Sequence, residues 1–410
     1  MTGGLLRATL TLLTGSVAAH AIPLVLGPAL TRTYSPEAFG QFSLLWAVAT
    51  NMAVVGCARY EFALPLERTE PRAAQLMALC ARVLLAVTAA SIAVAAVLTA
   101  VRGLPLAWTL PLAVLAGAAT QWLSLWATRA QRFALLSAAR LVQQSGGAVL
   151  QLLLGWMKMG PLGLVLGATA GGLGAAWLLA RPAPAGGWTG LWRQPWAPLR
   201  ALAAQHKDFP LLNTPHAFLG ALQDTLTLVL VAAWTGDAAA GLWALALRYL
   251  KAPATLVGGA LSQALYPNLL AAGSPADARR RVRQAQLGLA AVACPLAAVL
   301  LLWGPGLFAW AFGAQWAEAG QLARALAPYI ALHFVASPLA VVTMAWGAQA
   351  WALRLALVGQ CLFFAGLATG LHLGGLVGAG WGVSASMLAY FAYYFWALAN
   401  WEDMPHESRA

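Results

Sequence analysis

The sequence predicts an all-α integral membrane protein with about twelve transmembrane helices. Of its 410 residues, 61% are hydrophobic and 9% are charged, whereas a soluble globular protein has about 25% charged residues. Apolar runs of about 20 residues recur along the chain, and each could cross the ~30 Å hydrocarbon core of a bilayer as a helix. The chain lacks the alternation of apolar and polar residues that a membrane β-barrel requires, so helices are the predicted spanning elements.

Twelve apolar stretches are the predicted membrane helices, and one polar break divides them into two halves. The stretches are 1–32, 40–58, 73–100, 104–127, 133–155, 160–180, 209–233, 238–271, 285–311, 320–347, 351–371 and 375–399. The eighth stretch is long and contains Pro253, which predicts a kink. We expect an N-terminal six-helix bundle over 1–180, a cytoplasmic linker over 181–208 and a C-terminal six-helix bundle over 209–410.

The distribution of Lys and Arg orients the predicted helices. With the N terminus in the cytoplasm, 17 basic residues fall on the inside: Arg7, Arg59, Arg68, Arg72, Arg129, Arg132, Arg140, Arg181, Arg193, Arg200, Lys207, Arg279, Arg280, Arg281, Arg283, Arg354 and Arg409. Three fall outside and four within predicted spans: Arg32, Arg102 and Lys158, then Arg82, Arg248, Lys251 and Arg324. Cytoplasmic loops of membrane proteins are enriched in Lys and Arg, so both termini are predicted to be cytoplasmic.

The segment Pro28–Gly40 joins the first two predicted helices as a close hairpin. Arg32 lies at the end of the first apolar run. We expect Pro36 and Gly40 to force a tight connection, because proline fixes φ and glycine adopts conformations that other residues avoid. Arg32 is then either an interfacial cation that reaches water or part of a binding site.

The residue types argue against several other functions. No Ser/His/Asp, HExxH or P-loop pattern is present, so we predict no catalytic residues. The four cysteines lie in or beside apolar runs without ligand spacing, so no metal or cofactor is predicted. The net charge of +12 is explained by cytoplasmic loops rather than by nucleic-acid binding. Every predicted outer loop is short, which argues against an extracytoplasmic catalytic domain.

Ionisable residues inside predicted spans are candidates for a binding site, because a charge in lipid is costly. Arg82 lies about 9 residues, or ~14 Å, into its helix. Arg248 and Lys251 are three residues apart and share a helix face. Asp224, the only acidic residue well inside a span, is as far from the helix-hairpin tip at 235–237 as Arg248 is. They form an ion pair, or Asp224 tunes the charge of a cationic cavity or acts there as a protonatable switch. Such a cavity would suit a phosphate or pyrophosphate.

A weak repeat links the two halves of the chain. Ala38–Leu45 follows the first hairpin tip, and the similar Ala239–Leu245 follows the corresponding tip in the second half. Parallel repeats are a transporter architecture in which the substrate site lies between the halves. Chance similarity between two apolar hairpins is the alternative explanation.

A series of motifs carries a resemblance to a known family. The hairpin Pro28–Gly40 is followed by Arg59–Pro65, then by Lys207–Pro210, Ala239–Arg248 and Phe312–Gly320. In order and spacing, these segments resemble the Wzx-type oligosaccharide flippases of polysaccharide biosynthesis. That family belongs to the multidrug/oligosaccharidyl-lipid/polysaccharide exporter superfamily, and the resemblance covers nearly the whole chain.

The resemblance implies two six-helix bundles in a MATE-like V. It implies alternating access that carries an undecaprenyl-pyrophosphate-linked O-antigen (lipopolysaccharide) or exopolysaccharide unit across the bacterial inner membrane. A polysaccharide polymerase and chain-length machinery would be partners, besides membrane lipids. The family's basic positions correspond to Arg32, Arg59 and Arg248, whereas Arg82 and Lys251 come from the depth argument alone. Few acidic residues lie within the spans, which leaves the coupling ion open.

Three other functions remain as alternatives. A multidrug exporter of the same fold would favour acidic residues for cationic drugs. A membrane glycosyltransferase or polymerase would need an acidic catalytic residue or a long outer loop. A scaffold for other assembly proteins would stay active after charge reversal at Arg248.

Overall fold

The fold is known from a computed structural model, which describes residues 19, 21–104, 106–181, 183–184 and 186–401. Every regular element among these residues is helical, which confirms the predicted all-α class. The chain divides into two compact units, the first ending at Val229 and the second beginning at Leu230. The predicted division into two six-helix bundles stays a prediction.

The first unit contains most of the short helices. Its helices are α1 (21–33), α2 (Pro36–Val54), α3 (Glu70–Arg102), α4 (Leu110–Arg129), α5 (Phe133–Leu141), α6 (Gly147–Trp156), α7 (Pro161–Ala180), α8 (Gly187–Trp192), α9 (Trp196–Gln205) and the start of α10 (Thr214–Thr235). A π-helical segment, Val142–Gly146, joins α5 to α6, and a second one, Phe209–Asn213, leads into α10. A 3₁₀-helix, Tyr60–Leu66, lies between α2 and α3.

The second unit is built around its third long helix. Its helices are α11 (Asp237–Leu270), α12 (Pro275–Phe312), α13 (Ala317–Ala345) and α14 (Gln349–Ala399). Helix α13 packs against the other three and is the most buried of them. Helix α14 consists of two helices that meet at Gly374 and Gly375, where Gly375 has a φ of 60°. These halves correspond to the predicted helices 351–371 and 375–399.

Seven helical segments of the described chain are long and apolar enough to cross a membrane. They are Glu70–Val101, Ala107–Arg129, Pro161–Ala180, Phe209–Thr235, Pro275–Phe312, Ala314–Ala345 and Gln349–Ala399. The protein is therefore a multi-pass membrane protein. The total of twelve spans and the cytoplasmic placement of both termini stay predictions. The first predicted helix lies partly outside the described residues.

The first connection is tight, but for a different reason from the one expected. Helix α1 ends at residue 33 and α2 begins at Pro36. The Ser35 hydroxyl accepts a hydrogen bond from the Ala38 amide (3.3 Å), and proline at the first helical position suits this cap. The expectation that Gly40 forms the turn is wrong, because Gly40 lies buried inside α2.

Helix α12 begins ten residues before the predicted start at 285. The Ser274 hydroxyl accepts a hydrogen bond from the Asp277 amide (3.2 Å) and caps the helix. Arg281 then donates to Asp277 at 2.7 Å, one turn earlier. The basic cluster 279–283 is therefore helical rather than a loop, because the cap and this i,i+4 pair support a polar first turn.

Candidate substrate-binding site

Helix α11 displays two cations near its middle. It follows Gly236, whose φ of 90° suits glycine, and it buries Trp243 and Leu250 against the second unit. The side chain of Arg248 is exposed, and that of Lys251 is partly exposed. Their three-residue spacing places both on one face, as predicted. Two cations on one helix face suit contact with water or with an anionic group rather than with lipid.

An apolar cavity lies within the second unit, and α11 forms part of its wall. Its volume is about 330 Å³, and helix α11 contributes Tyr249, Leu250 and Pro253 to its wall. Helices α12 and α13 form the remainder, and the Tyr249 and Phe312 rings meet with centroids 4.5 Å apart. Neither Arg248 nor Lys251 lines this cavity, because at 3.6 residues per turn the wall residues of α11 point away from the two cations. Helix α11 therefore presents its cations on one face and an apolar cavity wall on another.

Asp224 lies on α10 beside a polar contact within the first unit. Its own side chain is exposed. The neighbouring Thr225 hydroxyl is buried, donates to the Ala47 carbonyl (3.3 Å) and lies 3.5 Å from the Asn51 amide nitrogen. The predicted ion pair of Asp224 with Arg248 joins residues of different units and stays a prediction.

Arg59 lies at a strained turn that leads into the 3₁₀-helix. Ala58 and Arg59 have φ values of 48° and 63°, a left-handed conformation that is uncommon for residues other than glycine and is concentrated at functional sites. The Arg59 Nε atom donates to Asn213 at 2.8 Å, and its guanidinium lies 4.1 Å from the Phe62 ring centroid. Arg59 therefore connects the 3₁₀-helix to the π-helical segment before α10, while its side chain stays half-buried.

Arg32 is an exposed side chain in the last turn of α1. A cation at this position is favoured by the partial negative charge of the helix C terminus. The site residues predicted from the sequence are thus distributed over the chain. The structure places Arg248 and Lys251 on one face of the second unit, and Arg32 and Arg59 at helix ends of the first.

Arg82 is hydrogen-bonded to the linker that follows α7. Its Nη2 atom donates to the carbonyl oxygens of Gln194 (2.7 Å) and Trp192 (3.3 Å). Its guanidinium also lies 4.5 Å from the ring centroid of Trp196. Arg82 therefore fastens the connection between α8 and α9 to α3. The sequence does not reveal that the linker packs against α3 at this level, and the assignment of Arg82 to a binding site stays a prediction.

Replacing Arg82 with methionine should loosen this linker. The change removes two charge-assisted hydrogen bonds, which contribute about 1.5–3 kcal/mol each, and keeps most of the side-chain volume. We expect tryptic cleavage after Arg193 and Arg200 in the folded protein to become roughly tenfold faster. The matched control is Arg68→Met, since Arg68 is exposed on the same unit. Equal cleavage rates in wild type and both variants would contradict an anchoring role.

Glu61 is a buried acid that the site prediction left out. Its side chain is 1% exposed. One carboxyl oxygen accepts a hydrogen bond from Gln121 at 2.7 Å, while the other, Oε2, is buried without a partner among the described residues. Burial raises the pKa of Glu61, although the Gln121 hydrogen bond and the Arg59 charge oppose the shift. The only sequence signal was its place within the Arg59–Pro65 motif.

This burial makes a pH-dependent contribution to stability. Because the pKa of Glu61 is raised above its ordinary 4.5, the folded state binds the proton more tightly than the unfolded state. The stabilising contribution is complete below pH 4.5 and is lost as pH rises through the folded pKa. We expect Glu61→Gln to reduce the loss of thermal stability between about pH 5 and pH 8 and to stabilise the protein by roughly 1 kcal/mol at pH 8.

Thermal unfolding in detergent across this pH range measures the effect. The control is Glu37→Gln, the same substitution at an exposed glutamate in the first turn of α2. It should leave the pH profile as in wild type. A Glu61→Gln profile parallel to that of wild type would show that ionisation of Glu61 does not destabilise the fold.

Comparisons with known proteins identify a family and a fold. The model of a family described as polysaccharide biosynthesis protein matches residues 72–321. The structure is similar to the lipid II flippase MurJ in its inward closed conformation, at 10% identity and a TM-score of 0.66 over 96% of this chain and 87% of that chain. A search of curated proteins finds no match.

Two further solved structures are similar over almost their full length. A mutant of the MATE transporter VcmN from Vibrio cholerae has 16% identity and a TM-score of 0.52, over 96% of this chain and 95% of that chain. A MOP superfamily transporter from Pyrococcus furiosus, whose binding pocket is described as having reverse polarity, has 13% identity and a TM-score of 0.54 over the same shares. At these identities the likeness shows the fold alone, and that fold is the MATE-like one predicted.

Proposed function

The chain belongs to the polysaccharide biosynthesis protein family, and from that premise we propose that it flips an undecaprenyl-pyrophosphate-linked oligosaccharide across the bacterial inner membrane. The family and the structural neighbours indicate a membrane transporter of the flippase type rather than an enzyme. The proposal includes the substrate, an O-antigen or exopolysaccharide repeat unit, and the location, the bacterial inner membrane. It also includes the partners, a downstream polymerase and chain-length machinery.

One observation carries the proposal: α11 presents Arg248 and Lys251 together on one face, and the same helix forms part of the wall of an apolar cavity on another face. A pyrophosphate is a dense anion, and guanidinium and ammonium groups are its preferred protein partners. An isoprenoid chain is apolar and suits a cavity lined by aromatic and aliphatic side chains. A lipid-linked pyrophosphate combines both requirements in one molecule.

The comparisons support this assignment over drug export. MurJ is named as a lipid II flippase, and the Pyrococcus furiosus transporter shows that polarity of the pocket differs within this fold. A transporter of cationic drugs would require acidic groups, whereas the exposed pair on α11 is cationic.

In the proposed mechanism, Arg248 and Lys251 hold the pyrophosphate by charge-assisted hydrogen bonds. Arg32 and Arg59 assist recruitment and release at helix ends. Asp224 reduces the local positive charge so that the anion can leave, either as a fixed carboxylate or as a group that binds a proton. Transport proceeds by alternating access, with the lipid chain in apolar surroundings. We do not place Arg82 in the binding step, because the linker occupies it.

A deletion strain tests the function. We expect loss of surface polysaccharide, with lipid-linked oligosaccharide accumulating on the cytoplasmic side, and restoration by the wild-type gene. Intact polysaccharide combined with increased sensitivity to cationic drugs would overturn the proposal in favour of a drug exporter. Accumulation of incomplete lipid-linked sugars would instead indicate a glycosyltransferase.

A further inference from the structure

Two adjoining cavities lie in the second unit, one between α13 and α14 and the other between the two halves of α14. Their volumes are about 240 Å³ and 410 Å³, and Leu355 and Tyr390 line both. We call them together the aromatic groove, defined by His333, Trp351, Arg354, Tyr390, Tyr393 and Tyr394. Four of these six side chains are aromatic rings of Trp or Tyr.

The rings of the aromatic groove are held in place by one another. Trp351 stacks on Tyr394, with centroids 6.2 Å apart and planes at 13°. Tyr390 lies parallel to Tyr394, with centroids 6.4 Å apart and planes at 2°. Tyr390 also lies against Gly359, where a Cβ atom would come within 2.7 Å of its ring. The ring faces are therefore fixed before any ligand arrives, which lowers the entropic cost of binding.

Polar groups accompany the rings. The groove is lined by Ser337 and Thr343 as well as by the tyrosine side chains, and Tyr393 is 49% exposed. This lining differs from that of the cavity between α11, α12 and α13, whose wall is apolar except for the Tyr249 hydroxyl and the Trp310 indole N–H. Fixed ring faces with nearby hydroxyl groups suit a ligand that has apolar C–H faces and a rim of hydroxyl groups. A pyranose sugar has this character, whereas a lipid chain offers no hydrogen bonds.

An interfacial aromatic belt would be a simpler explanation for these rings. Belt residues place their rings at the bilayer surface, singly and facing lipid headgroups. In the aromatic groove, Tyr394 is only 9% exposed and Tyr390 separates two cavities. Tyr394 is therefore covered by protein and Tyr390 partly covered, whereas Arg354 and Tyr393 lie exposed at the rim of the groove.

The distance between the groove and the cations is compatible with one ligand that reaches both. The Ser262 hydroxyl of α11 donates to the Pro338 carbonyl at 3.1 Å. Ser262 therefore lies level with Ser337, which lines the groove. Lys251 precedes Ser262 by eleven residues in the same helix, which corresponds to ~16 Å along its axis. An oligosaccharide attached to a pyrophosphate held at Lys251 could extend along α11 towards the groove.

We propose that the aromatic groove binds a sugar unit of the lipid-linked oligosaccharide. The inference rests on the proposed function and adds a second point of recognition, specific for the glycan. The cations then recognise the pyrophosphate of any such lipid, while the groove recognises the sugar attached to it.

Binding to the full-length protein in lipid nanodiscs tests the two points separately. The probes are lipid-linked oligosaccharide extracted from the deletion strain and sugar-free undecaprenyl pyrophosphate. We expect the wild type to bind the oligosaccharide probe at least tenfold more tightly. Trp351→Leu should abolish that difference without weakening binding of the sugar-free probe. Arg248→Gln should weaken the binding of both probes.

Two controls separate binding from folding. Trp303→Leu alters an exposed tryptophan outside the groove and should preserve the wild-type preference. Tyr390→Phe keeps the stacked ring, and therefore the packing, and removes only a hydroxyl that lines the groove, so part of the preference should be lost without loss of folded protein.

Three outcomes would overturn the inference. Equal wild-type affinity for both probes would remove the glycan site while leaving the flippase proposal intact. An equal loss for both probes in Trp351→Leu would show a structural role for Trp351. Failure of the wild type to bind either probe would reject the proposed function itself, and with it the groove assignment.

Discussion

Replacing Gly370 with valine should abolish accumulation of folded protein in the membrane. The two halves of α14 pack against each other through glycines, and a Cβ atom at Gly370 would overlap the carbonyl oxygen of Gly378. A second contact of this kind pairs Gly366 with Gly382, whose oxygen lies 2.5 Å from the position of a Cβ atom. Overpacking in a core costs about 1–3 kcal/mol, and here the obstacle is backbone that no rotamer change can move.

The protein level in membranes and the thermal midpoint in detergent measure this effect. The control is Gly288→Val on α12, where no atom of the described chain, apart from the adjoining backbone of the same helix, lies within 4 Å of the position that a Cβ atom would take. It introduces the same β-branched residue into a membrane helix at a site with open space. Similar levels for the two variants would show that close approach of the α14 halves is not required, contrary to the small-residue packing expected of membrane helices.

The fold class could be predicted from the sequence because it depends on composition and run length. The helix boundary between residues 371 and 375 was also accessible, since the Gly374-Gly375 pair interrupts an otherwise continuous apolar run. The early start of α12 could not be predicted from the sequence, because the four arginines in 279–283 resemble a cytoplasmic loop. Only the Ser274 cap and the Arg281–Asp277 pair show that this segment is helical.

The candidate site was predictable only where it depends on spacing within one helix. The shared face of Arg248 and Lys251 follows from their three-residue separation. The partners of Arg82 lie more than 100 residues away in sequence, and no local pattern indicates them. The aromatic groove depends on the same kind of distant pairing, because Trp351 meets Tyr394 only after the two halves of α14 fold together.

Replacing Arg248 with glutamate should abolish transport of the lipid-linked oligosaccharide. A charge-assisted hydrogen bond contributes about 1.5–3 kcal/mol, so Arg248→Gln should reduce transport roughly tenfold to a hundredfold. Glutamate at this position would in addition repel the pyrophosphate and pair with Lys251, three residues away on the same face. Arg248→Lys should retain part of the activity, because it keeps the charge but loses the two-pronged geometry of guanidinium.

Transport by the purified protein in liposomes, using oligosaccharide extracted from the deletion strain, measures these effects directly. The matched control is Arg280→Glu, which reverses an exposed cation in the same unit outside the proposed site. Both variants change the net charge equally, so a difference between them reflects position rather than overall electrostatics. Full transport by Arg248→Glu at a normal protein level would exclude this residue from anion binding, and α11 would then carry its cations for a structural reason.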